Sequence, residues 1–183
     1  MGVSPYATRA ELLAEKITGE RRETNFAMRR GNRLEPIVRG LYALRAGVPV
    51  EPACVSHGEY PWMLSSLDGL LLDVVRGMMI AEIKCWKWQN HDQVLAGLVP
   101  AEVFPQIQHQ LMTTGLDVCD LVSYSKKEDY SEEERFAVLE VKVDAEYQAE
   151  LFDAEVAFWA EVQAGREARR SGKRHTADMQ GGV

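Results

Sequence analysis

Two carboxylates and a lysine carry the sharpest chemical signal in the chain: Asp68, followed by Gly69, and the tripeptide Glu82-Ile83-Lys84. On a strand, alternate side chains share a face, so Glu82 and Lys84 project together while Ile83 turns into the core. A hairpin that starts at Asp68 returns beside that strand and brings a second carboxylate to Glu82. Two carboxylates and one main-chain carbonyl, here that of Ile83, form an oxygen-rich partial shell for Mg²⁺, which keeps its other positions for water and phosphate. A lysine on the same face can orient or deprotonate a metal-held water and offset charge building on a phosphate. The tripeptide alone is weak evidence, because Glu-x-Lys is expected about once by chance in a chain of this size. It occurs twice: Glu140-Val141-Lys142 is a second copy on another expected strand. The alternating surface of a half-exposed hairpin would give the same pattern.

Other residues add to the set. Glu35, in mid-helix beside Gly31-Asn32, can bring a third carboxylate to the site; a solvated helix position is the alternative. Gln106, Gln108 and Gln110 alternate through an expected helix, where one could bond a phosphate or the attacking water. Trp86 and Trp88 follow the Glu-x-Lys strand and could stack on bases or anchor a loop. His57, His91, His109 and His175 share no metal-ligand spacing, and there is no Gly-x-Ser-x-Gly or phosphate-binding glycine loop. Cys54, Cys85 and Cys119 stand apart without any CxxC, which fits reduced thiols in a cytosol and offers neither a disulfide framework nor a zinc or iron–sulfur quartet.

The elements that must position these groups follow from periodicity. Thr8-Arg9-Ala10-Glu11 has the form of a capping box and predicts a helix from about Arg9 to Thr18, stopped by Gly19. A second helix is expected from about Asn25 to Ala46, with Pro36 starting its second half or kinking it. From Val48 to Lys84 the chain reads as short strands, with turns at Leu67-Asp68-Gly69 and Arg76-Gly77. Cys85 to Val99 reads as a loop with one helical turn, and Glu102 to Thr114 as a helix. Two strands (Asp117–Ser125 and Arg135–Val143) and a helix from Ala145 to Ala164 complete the pattern. That order predicts an α/β domain with a mixed central sheet flanked by helices over residues 1–165, then a basic, flexible tail over 166–183.

The formal net charge is -7, yet residues 1–45 hold nine basic side chains against five acids. Arg29, Arg30 and Arg33 lie in that basic half, which could hold a polyanion because binding follows the local field. Residues 117–162 carry four basic against fourteen acidic groups, and the tail from Gln163 returns to positive, five against two. Solvated helix faces would produce the same charges. No apolar run approaches the ~20 residues of a membrane span. The N-terminus lacks the basic and apolar regions of a secretion signal, so a cytoplasmic protein is expected.

Taken in order, these pieces resemble the lambda-exonuclease-like, YqaJ-type viral recombinases of the PD-(D/E)XK nuclease superfamily. The resemblance rests on Ser4-Pro5-Tyr6 to Lys16-Ile17-Thr18-Gly19, Gly31-Asn32-Arg33-Leu34-Glu35-Pro36, Ser65-Ser66-Leu67-Asp68-Gly69 and Glu82-Ile83-Lys84-Cys85. It continues through Val99-Pro100-Ala101-Glu102, Pro105-Gln106-Ile107-Gln108-His109-Gln110 and Cys119-Asp120-Leu121-Val122-Ser123-Tyr124, to about residue 164. Leu67 stands where the family's turn has proline, and Trp86 where proline often follows the lysine and cysteine. Family domains usually begin before the stretch matching Met1, with an arginine-bearing segment and a Gly-x-Ser motif near the 5′ phosphate, a segment this sequence does not show.

The resemblance implies a restriction-endonuclease-like core and a Mg²⁺-dependent exonuclease, with Mn²⁺ substituting. It implies Asp68 and Glu82 as metal ligands with the Ile83 carbonyl, Glu35 acting through water, Lys84 as the catalytic lysine, and Gln106 close to the scissile phosphate. Double-stranded DNA ends, a single-strand annealing protein and a homotrimer are the implied partners, with 5′-to-3′ digestion supplying single strands for recombination. A related endonuclease and a non-catalytic DNA-end-binding or assembly subunit are the alternatives. Arg29, Arg30, Arg33, Trp86 and Trp88 are the expected nucleic-acid contacts.

Overall fold

The structure, a computed structural model, describes residues 7–20 and 26–180, with side chains described for 7–20 and 29–171. Ser4-Pro5-Tyr6 and the side chains of Phe26 and His175 lie outside the described residues. The elements in chain order are α1 (Arg9–Thr18), α2 (Phe26–Ala46), β1 (Glu51–Ser56), β2 (Leu64–Asp73), β3 (Gly77–Cys85), α3 (Gln89–Leu95), α4 (Phe104–Thr114), β4 (Val118–Tyr124), β5 (Phe136–Lys142) and α5 (Ala145–Gln180). They fall into two compact units, Thr24–Gln148 and Met1–Glu23 with Ala149–Val183.

The larger unit is the expected mixed sheet with helices on its faces. Its strands lie in the order β1-β2-β3-β4-β5, and only β3 and β4 run parallel. A parallel pair cannot be closed by a hairpin, so α3 and α4 occupy the crossover between them. Leu67, Ile80, Cys119, Leu121 and Val141 pack on one face against Val94 of α3 and Ile107 and Leu111 of α4. Leu71, Met79, Ala81, Ile83 and Val122 pack on the other against Val38 and Tyr42 of α2. Covered on both faces, β3 is buried without interruption from Met79 to Ile83, and Glu82 is the one ionisable group in that run.

Leu67-Asp68-Gly69 is not a turn: Leu64 to Asp73 form the single strand β2, and Asp68 sits in its middle. The hairpin instead closes after Asp73, whose Oδ1 accepts from the backbone N–H groups of Val75 and Arg76 at 2.8 Å each, with Gly77 at φ +79°. Gly69 serves close approach rather than chain reversal. A Cβ there would lie 2.5 Å from Val50 Cγ1 and 3.2 Å from Ala81 Cβ. Asp-Gly therefore signals different physics in a central strand than in a loop.

Smaller differences follow the same logic. Pro36 lies inside an α2 that runs on through it to Ala46, so it begins no second helix. The expected loop after Cys85 contains the two-turn helix α3, anchored by buried His91. The His91 ring bridges the Ser123 hydroxyl and the Glu134 carbonyl, each at 2.6 Å.

In the smaller unit, α1 has its capping box: Thr8 Oγ1 accepts from Glu11 N at 3.3 Å, and the Glu11 carboxylate from Thr8 N at 2.8 Å. The helix expected to stop at Gly165 continues to Gln180. Gly165 is there for space, because a Cβ at that position would collide with Ile17 of α1. A glycine within a helix costs about 1 kcal/mol relative to alanine, a small penalty beside a helix–helix contact that admits no larger residue. No helix among the described residues is long and apolar enough to cross a membrane.

Candidate active site

Glu82 lies on the middle strand of the sheet and is 1% exposed. A carboxylate so far from water must find donors, because an unpaired buried charge costs several kcal/mol. It finds three. Lys84, two residues along the same strand and so on the same face, places Nζ 2.6 Å from Glu82 Oε1. From α4, Gln106 Nε2 donates to Glu82 Oε1 at 2.7 Å, and Gln110 Nε2 donates to Glu82 Oε2 at 2.6 Å. Gln106 also closes the loop, its Oε1 accepting from Lys84 Nζ at 3.0 Å. Gln106 and Gln110 stand four residues apart and share a helix face. Gln108 belongs to another: it donates to the Lys142 carbonyl at 2.8 Å and accepts from the Asp144 N–H at 3.0 Å.

Asp68 approaches from the neighbouring strand. Gly69 and Ala81 are paired in the antiparallel ladder, so Asp68 and Glu82 are the next positions along. Asp68 Oδ2 accepts the Ile83 N–H at 2.9 Å. Burial pushes the Asp68 carboxyl up to about 7, the negative charges of Glu82 and Glu35 add to the rise, and the Ile83 N–H and Lys84 oppose it. Three acids therefore share one field, with Glu82 held by Lys84 and the α4 amides and Asp68 held against the β3 backbone.

Glu35 reaches this set through Arg39. One turn along α2, the Arg39 guanidinium pairs with the Glu35 carboxylate, and its Nε donates to the Asp68 main-chain carbonyl at 2.5 Å. Arg39 thus ties the helix carboxylate to the strand that carries Asp68. Neither Arg39 nor a specific role for Gln110 was evident from the sequence. Both sit at i+4 from a residue that was, which is the spacing that would have found them.

Mg²⁺ fits the chemistry of this donor set. Among the described residues no three His, Cys, Asp or Glu groups form a ready-made cage. Mg²⁺ does not need one, since it is commonly held by one or two carboxylates plus water and phosphate oxygens. Asp68 and Glu82 are hard oxygen donors whose mutual repulsion a divalent cation would relieve.

The remaining expected contacts are less uniform. Arg30 Nη2 donates to the Trp86 carbonyl at 3.2 Å, joining α2 to the end of β3. Trp86 is half-buried against the core on the α4 face. Trp88 is exposed, with Lys127 Nζ 5.7 Å from its ring centroid. Arg29 and Arg33 are exposed on α2.

Comparison with known proteins identifies the family and the fold. The YqaJ-like viral recombinase domain family matches residues 1–117. The alkaline exonuclease LHK-Exo from Laribacter hongkongensis is 31% identical, with a TM-score of 0.74 over 93% of this chain and 84% of its own. The same coverage and TM-score hold, at 30% identity, for LHK-Exo in complex with dAMP. A phage related exonuclease from Haemophilus somnus 129PT shares the fold at 17% identity, with a TM-score of 0.58 over 90% of this chain and 82% of that one. No curated protein sequence gives a significant match. With an α/β core of the PD-(D/E)XK type and more than half its length matched, the chain belongs to the YqaJ-like viral recombinase domain family.

Proposed function

We propose that the chain is a Mg²⁺-dependent deoxyribonuclease that digests linear duplex DNA from its ends, 5′ to 3′, to make single strands for recombination. One observation carries the reading: a buried glutamate on the central strand, joined to a lysine on its own strand, with a second carboxylate on the next. A structural ion pair has no need of the additional acid. The name of LHK-Exo as an alkaline exonuclease, and its complex with dAMP, support the same chemistry.

In this reading Asp68, Glu82 and the Ile83 carbonyl would hold Mg²⁺, Glu35 would reach it through water, and Mn²⁺ would substitute. Bound there, the cation supplies Lewis-acid polarisation of the scissile phosphate and a more acidic water. Lys84 hydrogen-bonds the attacking water and offsets the charge that grows on the phosphate oxygens. Gln106, bonded to both Glu82 and Lys84, keeps those two groups in register and offers an amide to the phosphate. Arg39 holds Glu35 toward Asp68. Asp68, Glu82 and Lys84 come from two paired strands of the sheet, so their geometry is in place before substrate arrives.

Arg29, Arg30, Arg33, Trp86 and Trp88 are the proposed DNA contacts. The wider setting goes with the family: a homotrimer in the bacterial cytoplasm that passes its product to a single-strand annealing protein. The test is digestion of linear duplex DNA in Mg²⁺ and in EDTA, with 5′-phosphate ends, 5′-hydroxyl ends and closed circles compared. Mg²⁺-dependent loss of linear DNA alone is the expected result. Cleavage of circles would make the protein an endonuclease, and binding without digestion would make it an end-binding subunit.

A further inference from the structure

The smaller unit carries a built feature that the catalytic reading does not use. Gly19 ends α1 in the left-handed conformation, at φ +79°, and its N–H bonds the Glu15 carbonyl at 2.8 Å. The next two carbonyls are taken by α5. Arg166 donates to the Lys16 carbonyl through Nε at 3.0 Å and Nη2 at 2.8 Å, and Arg169 Nη1 donates to the Ile17 carbonyl at 3.4 Å. A bare helix C-terminus is partially negative and repels anions. Here two guanidinium charges cover it, and each guanidinium still has N–H groups to offer, since arginine carries five and these bonds use at most two.

Around them lies a pocket of about 350 Å³, lined by Lys16, Ile17, Thr18 and Gly19 from one side and Arg166, Arg169 and Arg170 from the other. Four cations and a hydroxyl meet there, with no acid in the lining. Among the described residues neither Lys16 nor Arg170 pairs with a carboxylate. Like charges gathered this way repel one another, and a polyanion relieves that repulsion. The lining also has no ring: nearby Trp159 is covered by Arg166, whose Cζ lies 5.3 Å from the ring centroid. Such a pocket recognises phosphate and cannot read or stack a base. In a chain of net charge -7, its placement concentrates positive charge on one site.

We infer that this pocket grips a phosphate of the DNA backbone, without sequence preference, through residues separate from the catalytic set. The identification of DNA as the polyanion rests on the nuclease reading above, which requires a backbone grip indifferent to sequence.

The experiment is anisotropy of a fluorescent duplex in EDTA, from about 50 to 200 mM salt, with wild type and Lys16→Gln/Arg170→Gln. Arg166 and Arg169 are left intact so that the end of α1 stays capped, and melting temperatures check the fold. The double variant is expected to bind about tenfold more weakly at low salt. Its log K against log salt should be shallower by about 1 to 2, since each lost phosphate contact removes about 0.9. Arg170→Glu, at an exposed position, should weaken binding more than Arg170→Gln. With enzyme in saturating excess and Mg²⁺ present, the double variant should cut as fast as wild type. Unchanged affinity and slope in a folded double variant would overturn the inference, even if wild type digests DNA. Loss of affinity for vesicles containing phosphatidylserine, with DNA binding unaltered, would overturn it too. Weaker DNA binding by the double variant, beside a wild type that binds DNA but digests nothing, would keep the pocket and remove the nuclease.

Discussion

Glu82-Ile83-Lys84 and Glu140-Val141-Lys142 are nearly the same tripeptide, each on a strand, each with its apolar residue turned inward. Position in the sheet makes them different objects. The first lies on β3, between two strands and two helical layers; the second lies on β5, at the edge. Side-chain exposure is 1% for Glu82 and 27% for Lys84, against 40% for Glu140 and 74% for Lys142. The glutamate–lysine distance lengthens from 2.6 Å to 3.4 Å. Burial forces Glu82 to collect amides and an ammonium, which fixes it in one geometry beside Asp68. At the edge, water solvates Glu140 and Lys142, and a pair of that kind is worth about 0–1 kcal/mol. In the proposed function the motif becomes chemistry only where the fold removes water from it.

The largest separation between the copies should appear in catalysis. Glu82→Ala or Lys84→Ala is expected to slow cleavage by about 10²- to 10⁴-fold, measured in single turnover, with duplex binding in EDTA retained. Wild-type cleavage in both variants would remove β3 from the mechanism. A buried carboxylate on the adjacent strand sharpens the point. Asp120 is 2% exposed, and it accepts from Arg76 Nη1 at 2.9 Å, Arg76 Nη2 at 3.0 Å and Tyr42 Oη at 2.5 Å. All of its partners hold it in place, and burial, together with the hydrogen bond to Asp120, raises the Tyr42 phenol above its ordinary range. Asp120→Ala should therefore cost about 3 kcal/mol of unfolding free energy in denaturant, near the lower end for a broken buried pair. Arg76 can rehydrate, which keeps the cost from being larger. The cleavage rate of the folded variant at saturating enzyme should stay as it was. A rate loss like that of Glu82→Ala would mean that burial of the carboxylate, and not its place beside Asp68, sets the phenotype.

The mixed sheet, the helices and the order of the chain were legible because hydrophobic period and capping residues are local signals. The Thr8–Glu11 box appears as read, and so does the extent of α2. Local signals failed where a residue serves a distant contact. Gly69 looks like a turn and is a close approach to Val50; Gly165 looks like a helix end and makes room for Ile17. The same limit governs the candidate site. Asp68, Glu82, Lys84 and Gln106 could be named from their types and from the family pattern, but the choice between the two Glu-x-Lys copies depends on strand order. Arg39 and Gln110 act across elements, on a strand carbonyl and on a strand carboxylate. Nothing in their immediate neighbours announces that.

Gln110 gives the next smaller effect. Buried at 2%, it spends Nε2 on Glu82 and on the Ser66 carbonyl at 3.3 Å. Gln110→Leu keeps the volume and removes one donor from Glu82, so cleavage should fall about tenfold, the worth of one hydrogen bond to a charged group. Stability should move less than for Asp120→Ala, because Lys84 and Gln106 still hold the carboxylate. The smallest effect belongs to the edge copy. Lys142 bonds an exposed Glu140, and Arg76 Nη1 stands 3.6 Å from Glu140 while committed to Asp120 at 2.9 Å. Removing either residue leaves its partners in water, so Glu140→Ala and Lys142→Ala should each change unfolding free energy by no more than about 0.5 kcal/mol. Cleavage should be unchanged in both. A selective loss of cleavage in a folded Glu140→Ala or Lys142→Ala variant would reverse the assignment and put the reaction at the edge of the sheet, which is why the weakest expected effect is also the test that could most change the picture.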